Sequence, residues 1–540
     1  MSIPNNYYEG TGPTFIALLV FACLLFLVGL GRRHLWNPDE PRVAGIAAEM
    51  ARSGDLVFQR LNGQPFLEQP PLYFWAASTA FRLFGENTYA ARLISALSAI
   101  GGVVIVFLLA RSMHFSIRGA FISGFVLATS AEYWSLGRRC LIDMTLCLFI
   151  TAAMASFYQV VCSVRGRTFW YICFVFSLGC AVLTKGIVGL AVPLSALVIW
   201  LVLKRDFSWR QWFILLAGII LCCVPVSIWI WLLYNDLGKE AVYQAIWVNN
   251  FGRFTGGYPQ HVEPFYYHLT KFPAQFIPWT FFLPLAGFLL IRETRYHNSN
   301  NPSLFILTWF IVPFILLSIS AAKRSLYLLP IYPAAALAVG YAVDMVVCSK
   351  EKLTVWFEIP ASILAGIAAI APLVFLGMCI YLHQPFVILA LVSIPGIVLG
   401  LWAYHLLTKK DFNSFFQMLI PAFLVIFLTF DVSIAPIFNQ KNSYELLFQY
   451  SRKLRSEGAE LCLLRPTERL DGAAVFYLGG RIPRFNNVEA VQELMNRSEK
   501  TVVITDNENF NNIPHMRIVK SFNIDDHTLV IFTTEKTYKG

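Results

Sequence analysis

Long apolar stretches recur along most of this 540-residue chain, and they constrain its fold more than any other feature. A helix needs about 20 apolar residues to cross the hydrocarbon core of a bilayer. Hydrophobic residues make up 57% of the chain and charged residues only 14%, so lipid must be its main solvent. We therefore predict a polytopic membrane protein with about thirteen spans, at residues 14–30, 90–110, 117–134, 142–163, 169–183, 187–203, 212–233, 275–291, 303–320, 325–347, 359–381, 385–407 and 416–434.

The Lys and Arg residues of the short loops predict the orientation of these spans. Basic loops resist translocation, and a cytoplasmic N-terminus leaves most of them inside. The loops 31–89 and 234–274 and the tail after about residue 437 then lie outside. The first span leads into Arg32 and Arg33 without a small-residue cleavage site, which indicates an uncleaved span.

Eight basic residues fall on the predicted outer face, against this rule. The net charge of +10 needs no nucleic acid as a partner, because the basic inner loops account for most of it. One or two of the eight can reach the interface with their long side chains. The cluster as a whole favours an anionic ligand at the outer surface, such as a lipid phosphate. Its members are Arg32, Arg33, Arg138, Arg139, Lys185, Arg253, Lys323 and Arg324.

The first outer loop contains two predicted interfacial helices. Pro41 suits the opening turn of the first, and Gly54 suits its end. A second apolar helix, Leu72 to Phe84, is too short to span and ends at Gly85. Apolar residues recur at helical spacing in the first helix, at Val43, Ile46, Ala47 and Met50.

Asp39 and Glu40 stand at the entrance of the first of these helices. Free backbone N–H groups and the helix dipole favour ionised carboxylates there. The pair therefore reads either as ordinary capping residues or as carboxylates available for chemistry.

The tail changes character after Asn439. Residues 443–457 and 487–497 read as amphipathic helices, and four segments read as strands. We predict a membrane domain over 1–438 and a soluble α/β domain over 439–540. Cys462 is the only cysteine in this tail, so no disulfide framework is expected. The predicted strands are Ala459–Leu464, Thr501–Thr505, Met516–Lys520 and Thr528–Phe532.

A series of motifs in fixed order resembles the polyprenyl-phosphate-dependent glycosyltransferases of the GT-C class, and most of all those that transfer 4-amino-4-deoxy-L-arabinose to lipid A. The resemblance covers residues 36 to about 345. It implies a mainly helical GT-C fold with about thirteen transmembrane helices and a C-terminal periplasmic α/β domain. The motifs are Trp36-x-x-Asp39-Glu40-x-Arg42, Gly54-Asp55, Gly63, Glu68-x-Pro70-Pro71, Arg92, Leu141-Ile142-Asp143, Thr184-Lys185-Gly186, Leu190-Ala191-Val192-Pro193, Trp247-Val248, Arg253-Phe254, Gln260-His261, Pro264-Phe265-Tyr266-Tyr267, Pro278-Trp279 and Ser320-Ala321-Ala322-Lys323 with Tyr327.

The resemblance implies an inverting enzyme of the Gram-negative inner membrane that acts on the periplasmic face. Its expected donor is a sugar on undecaprenyl phosphate and its expected acceptor is lipid A. No nucleotide cofactor is expected, since nucleotide sugars are not expected outside the inner membrane. We further expect contacts with membrane lipids and a monomeric chain.

The same resemblance assigns roles to residues. Asp39, Asp143 and Glu40 are the candidate catalytic carboxylates, with Asp39 as general base for a hydroxyl acceptor or as a stabilising group for an anionic one. Asp143 has a structural alternative, an ion pair with Arg138 or Arg139. The candidate donor-phosphate residues are Arg253, Lys323, Arg324, Arg42, Arg138, Lys185, Tyr327 and Gln69.

Glu68 and His261 match a divalent metal site of the aminoarabinose transferases, with zinc or a similar ion as a loop organiser. A direct Glu68–His261 hydrogen bond is the alternative. Position 69 is Gln where those transferases usually carry Lys in a Glu-Lys-Pro motif, so a phosphate contact is lost. Another sugar, such as a hexose or uronic acid, and another acceptor, such as lipopolysaccharide core, a glycan or protein Ser/Thr, stay open. A lipid or sugar transporter is the alternative from another class.

Overall fold

The computed structural model describes residues 11–163, 166–205, 208–252, 262–295, 301–349, 354–381, 387–497, 500–510, 516–525 and 527–534. These residues form two compact units. Unit 1 comprises residues 1–28, 67–72 and 95–431, and unit 2 comprises 29–66, 73–94 and 432–540. The predicted boundary at residue 439 differs from this grouping, since most of the first loop belongs to the same unit as the tail.

Unit 1 is helical, and its helices occupy the predicted apolar stretches. In the described part of the chain, eight helices are long and apolar enough to cross a membrane, or nine if one bent pair counts as a single span. Four shorter apolar helices occupy the remaining predicted stretches, so the count of thirteen stays a prediction. The helices outside the first loop are α1 Thr11–Leu27, α4 Thr88–Ser112, α5 Ile117–Thr129, α6 Ala131–Gly137, α7 Ile142–Cys162, α8 Arg167–Lys185, α9 Val188–Leu203, α10 Trp209–Tyr243, α11 Tyr267–Gln275, α12 Leu283–Thr294, α13 Pro302–Ile319, α14 Tyr332–Ser349, α15 Thr354–Tyr381, α16 Val387–Thr408 and α17 Phe412–Thr429.

Breaks in these helices occur where the sequence disfavours regular backbone. Helix α10 kinks at Gly238, whose φ of 78° is open to glycine at low cost. Helices α11 and α12 are bent by 109° across a short break. This bend leaves α11 with only nine residues, Tyr267–Gln275, too few to cross a bilayer alone.

The first-loop part of unit 2 confirms both predicted helices. Helix α2 spans Glu40–Ser53 and stops at Gly54, whose φ is 74°, and α3 spans Leu72–Phe84. Between them, β1 Gln59–Leu61 and β2 Gln64–Phe66 form an antiparallel hairpin. Asn62 and Gly63 have φ of 51° and 82°, as expected for an Asn-Gly hairpin turn.

The tail forms a mixed sheet with helices. The strand order is β4-β3-β5-β7-β6. Strands β4, β3 and β5 are parallel to one another, β7 is antiparallel to β5, and β6 is antiparallel to β7. The side chains of Cys462, Val503, Phe532 and Met495 pack in its core. The elements are α18 Asn439–Asn442, α19 Glu445–Ser456, β3 Glu460–Leu464, α20 Glu468–Leu478, β4 Arg484–Phe485, α21 Val488–Arg497, β5 Thr501–Asp506, α22 Asn507–Phe510, β6 Met516–Ile524 and β7 His527–Thr534.

Helix α20 and strand β4 are absent from the predicted set. The helix carries end signals, because the Thr467 side chain accepts a hydrogen bond from the backbone of Leu470 and Gly479 ends the helix with φ of 75°. Its last seven residues, Gly472–Leu478, are all apolar or aromatic, so the helix shows no amphipathic periodicity there. Helix α20 packs against α2, and Gly45 and Gly472 lie at this contact.

Candidate functional site

A cavity of about 120 Å³ in unit 1 collects several of the predicted site residues. It lies where α7 begins and where α8 and α13 end. Glu68, Gln69, Asp143, Lys185 and Tyr327 line it together with apolar side chains. We call it the Asp143 cavity. The apolar wall is formed by Leu146, Ile187, Val188, Ala191, Val192, Leu316 and Leu317.

Asp143 and Lys185 form an ion pair at this cavity. Asp143 stands in the first turn of α7 and Lys185 in the last turn of α8, where the helix dipoles favour these charges. The Lys185 ammonium also lies 4.6 Å from the centre of the Tyr327 ring, over its face. The pair is shielded but reachable, since 11% of the Asp143 side chain and 14% of the Lys185 side chain are exposed.

Glu68 and Gln69 reach the cavity from a short first-loop segment that belongs to unit 1. The Asn249 amide fixes this segment by donating to the carbonyl oxygens of Leu67 at 3.2 Å and Gln244 at 2.9 Å. Asn249 lines the cavity as well. No sequence pattern predicts this role for Asn249, because a single amide in a predicted loop has no distinguishing spacing.

Lys323 is buried, whereas a residue that binds a substrate phosphate must be accessible to it. Its side chain is only 4% exposed, and its ammonium donates to the backbone oxygen of Glu263 at 2.7 Å. Next to it, Ala322 pairs with Val262 in an isolated β-bridge. Lys323 therefore holds the 262–264 segment in place. Arg324 follows it as a half-buried residue, at the start of the 3₁₀ turn that carries Tyr327.

Arg138 forms a buried clamp, not part of the cavity lining. Its guanidinium donates to the Leu25 oxygen at 2.6 Å and the Val28 oxygen at 2.7 Å, and it pairs with Asp431 at 2.6 Å. The predicted alternative ion pair between Asp143 and Arg138 or Arg139 is wrong, since Asp143 pairs with Lys185. Sequence proximity suggested the first pairing, but the helix ends bring Lys185 to Asp143.

In unit 2, Glu40 lies in a closed network of charges. Its carboxylate pairs with Arg92 at 2.7 Å and Arg33 at 3.6 Å, and it accepts from the Trp36 backbone at 2.9 Å. Burial alone would raise the pKa of Glu40, but Arg92 and Arg33 together hold this pKa to about 2. With only 2% of the residue exposed, the geometry favours a structural role for Glu40.

Asp39 differs from its neighbour in unit 2. It occupies the N-cap position of α2, yet its side chain makes no capping hydrogen bond. Its carboxylate instead pairs with Arg42 at 3.2 Å, and Arg42 also pairs with Glu468 at 2.8 Å. The Asp39 carboxylate is thus partly exposed beside a guanidinium, and the simple capping interpretation does not describe it.

Two predicted residues, Arg253 and His261, lie outside the described residues. Within the described ranges, no group of three or more His, Cys, Asp and Glu side chains is placed to hold a metal ion. Glu68 lines the Asp143 cavity, where a carboxylate oxygen is a suitable ligand for a divalent cation. The metal site of Glu68 and His261 stays a prediction.

The chain is similar in sequence to known glycosyltransferases. The family model described as dolichyl-phosphate-mannose-protein mannosyltransferase matches residues 13–243. An undecaprenyl phosphate-alpha-4-amino-4-deoxy-L-arabinose arabinosyl transferase of Edwardsiella ictaluri is 31% identical over 332 residues, which is 61% of this chain and 59% of that protein. The protein of the same description from Serratia proteamaculans is 30% identical over 379 residues, 68% of this chain and 65% of that protein. The matches therefore span less than two thirds of the length of these relatives.

The fold has a counterpart over nearly the whole chain. The crystal structure of ArnT from Cupriavidus metallidurans bound to undecaprenyl phosphate matches 98% of this chain and 100% of that chain, with a TM-score of 0.75 and 21% identity. The chain is thus a multi-pass membrane protein with the GT-C fold, related to the polyprenyl-phosphate-dependent glycosyltransferases as its motifs predicted. The similar proteins named above are aminoarabinose transferases, the branch that the first-loop motifs indicated.

Proposed function

We propose that the chain is a glycosyltransferase that moves 4-amino-4-deoxy-L-arabinose from undecaprenyl phosphate to lipid A. The Asp143 cavity is the observation that carries this proposal. Its lining combines an apolar wall with the charged and polar groups of Lys185, Asp143, Glu68 and Gln69. A polyprenyl phosphate has the same two parts, a hydrocarbon chain and an anionic head. The names of the relatives, undecaprenyl phosphate-alpha-4-amino-4-deoxy-L-arabinose arabinosyl transferases, include the donor and the sugar and support the same substrates.

The transfer needs an acceptor oxygen to attack the anomeric carbon of the sugar. The bond from that carbon to the phosphate oxygen breaks, and undecaprenyl phosphate leaves with the electron pair. Because the acceptor attacks from the face opposite the leaving phosphate, the anomeric configuration inverts. The leaving phosphate gains negative charge in this step, and Lys185 is the described cation at the cavity that can stabilise it. Asp143 holds the Lys185 ammonium in place through their ion pair.

Asp39 is the proposed carboxylate of the reacting centre. For a lipid A phosphate, which is already anionic, Asp39 orients groups or stabilises positive charge that develops on the sugar ring. For a hydroxyl acceptor it takes the proton as general base. Its partial exposure and its Arg42 partner are compatible with both roles.

The proposed location is the inner membrane of a Gram-negative bacterium. The basic short loops favour a cytoplasmic N-terminus, which leaves the tail and the loops 31–89 and 234–274 in the periplasm. A divalent ion held by Glu68 and His261 would organise the first loop when bound. This part of the proposal rests on the motif match and on the position of Glu68.

A second candidate function differs in the sugar and in the acceptor. Gln69 lines the Asp143 cavity, where its neutral amide cannot supply the charge of a Lys. This observation favours a hexose or uronic acid as the alternative sugar, with lipopolysaccharide core, a glycan or protein Ser/Thr as acceptors.

Mass spectrometry of lipid A and the remaining lipopolysaccharide tests both candidates. Cells with the chain, without it and with Asp39→Asn are compared. A pentosamine-sized addition that needs both the chain and Asp39 supports the aminoarabinose proposal, and a hexose or uronic acid addition supports the second candidate. Asp39→Asn should lower turnover by about 100-fold or more if the carboxylate takes part in the reaction.

Exposed-surface variants serve as controls in the same cells. Glu493→Gln alters a carboxylate that is 65% exposed and pairs with Arg497 one turn away, so turnover should not change. Normal turnover in a well-folded Asp39→Asn variant would remove Asp39 from the mechanism. No addition to lipid A or lipopolysaccharide in any cell would contradict the aminoarabinose proposal and would leave the second candidate with a glycan or protein Ser/Thr acceptor only.

A further inference from the structure

Three helices of unit 1 are joined tightly over part of their length. Phe125 of α5 lies between Phe21 of α1 and Phe423 of α17, with ring centres 5.2 Å and 5.8 Å away. The Arg138 clamp described above then ties the end of α1 to Asp431, which follows α17. Buried charge pairs with their hydrogen bonds satisfied hold such ends in one arrangement.

The opposite ends of the same helices enclose a large cavity. Its volume is about 560 Å³, and it lies among the first turns of α1, α5 and α17 and the last turns of α14. We call it the Arg118 cavity. Most of its lining is apolar, formed by Ala17, Phe121, Ile122, Val343, Val347, Phe416 and Ile420.

This apolar volume needs an occupant. A cavity of this size has room for roughly twenty water molecules at about 30 Å³ each. Nine of its fourteen lining residues are apolar, however, and apolar surface favours an apolar guest over water. The first turn of α1 lies about 16 Å from the Arg138 clamp at 1.5 Å per residue, so the cavity is at the far side of the helix packing. The guest available to such a site in a membrane is lipid.

The charges at the cavity select the kind of lipid. Arg118 and Asp344 are the charged residues of the lining. The Asp344 carboxylate already accepts hydrogen bonds from the backbone N–H of Ser116, at 2.8 Å, and from the Ser116 hydroxyl. Asp344 therefore stabilises the residue that precedes α5. Arg118 is exposed, and within the described ranges its guanidinium has no hydrogen-bond or ion-pair partner. A guanidinium in this position suits a phosphate, which it can bind with two hydrogen bonds.

We propose that the Arg118 cavity is a phospholipid site. Arg118 binds the phosphate of the headgroup, and an acyl chain fills the apolar wall between α1, α5 and α17. The site is separate from the Asp143 cavity and does not depend on the proposed sugar transfer. The lipid supports the helix ends that the Arg138 clamp does not reach.

Native mass spectrometry of the full chain, titrated with a phosphatidylglycerol after delipidation, tests this site. Arg118→Gln should lower the affinity for the lipid about tenfold, as expected for the loss of one charge-assisted interaction. Ala17→Trp should lower it too, because the new side chain occupies the cavity. Arg205→Gln changes an exposed Arg outside the lining and should leave binding unchanged.

The outcomes separate the possible ligands. Equal phospholipid binding by the Arg118→Gln and Arg205→Gln chains would overturn the proposal. The proposal would also be overturned if undecaprenyl phosphate bound in an Arg118-dependent way and the phospholipid did not. Binding of glycerol 3-phosphate as strong as that of phosphatidylglycerol would show a phosphate site without a lipid chain and would overturn it as well.

Discussion

Two carboxylate–cation pairs, each with its carboxylate in the first turn of a helix, show how differently this chain uses charge. In unit 2, Glu40 and Arg92 are 2% and 1% exposed, and Arg92 donates its other hydrogen bonds to backbone oxygens of Leu30, Arg33 and His34. In unit 1, Asp143 and Lys185 keep part of their surface exposed at a cavity. The first pair is saturated by protein, and the second can still meet a ligand.

The difference has a physical basis. A buried charge is tolerated only when its partners satisfy it, and a saturated guanidinium has no donor left for a substrate. A partly exposed ammonium such as that of Lys185 can exchange water for phosphate at modest cost. Burial and partner count, more than residue type, therefore distinguish the structural pair from the candidate site.

The largest expected effect comes from breaking the saturated pair. Glu40→Ala leaves Arg92 and Arg33 buried without their carboxylate, which should cost about 3–5 kcal/mol of stability. We expect a low yield of folded chain and a strongly lowered melting temperature, measured on the purified protein in detergent. Glu457→Gln, at an exposed pair with Lys453, is the control and should change stability by less than about 1 kcal/mol. A stable Glu40→Ala chain that has lost only transfer would assign Glu40 to catalysis.

The same pair should make stability depend on pH. The pKa of Glu40 falls from 4.5 to about 2 on folding. Its contribution is thus fully present above pH 4.5 and is lost as the pH falls from 4.5 towards 2, for a total of about 3 kcal/mol. Thermal unfolding between pH 6 and pH 3 measures this loss, with Glu40→Gln as the variant in which it should vanish. An equal slope in both chains would contradict the closed network.

The contact between α2 and α20 in unit 2 also affects the Glu40 pair, because it positions the helix that begins at Glu40. A Cβ at Gly472 would lie 2.5 Å from the Pro41 backbone oxygen, whereas nothing lies within 4 Å of one at Gly480. Gly472→Ala should therefore destabilise the protein by about 1–3 kcal/mol. Gly480→Ala should be neutral in the same melting experiment. Equal melting temperatures of the Gly472→Ala and Gly480→Ala chains would mean that α2 and α20 can move apart at little cost in stability.

The smallest expected effect concerns the partly exposed pair of Asp143 and Lys185. Lys185→Met removes the cavity cation while it keeps the bulk of the side chain, so KM for the undecaprenyl-phosphate donor should rise about tenfold. Stability should change little in comparison with Glu40→Ala. Lys453→Met changes a lysine that is 70% exposed and controls for the substitution itself. An equal rise in the KM values for donor and acceptor would argue against a phosphate role for Lys185.

The sequence by itself determined the local structure of this protein. Runs of apolar residues predicted the helical stretches, Pro41 and Gly54 predicted the limits of α2, and four strands were predicted close to their observed positions. These features depend on periodicity, turn chemistry and helix ends, which nearby residues encode. The family motifs likewise indicated the GT-C fold, which the structural comparison confirms.

The pairing of the charged residues depends on the tertiary structure. Arg138 pairs with Asp431, 293 residues away, and Arg42 pairs with Glu468, 426 residues away. Such partners depend on how distant helices pack, and no local pattern records them. The same packing places one cation in a saturated clamp and another at a cavity, although both are basic residues on the same predicted face. Burial and the number of partners are properties of the folded chain, so they separate structural charges from functional ones only after folding.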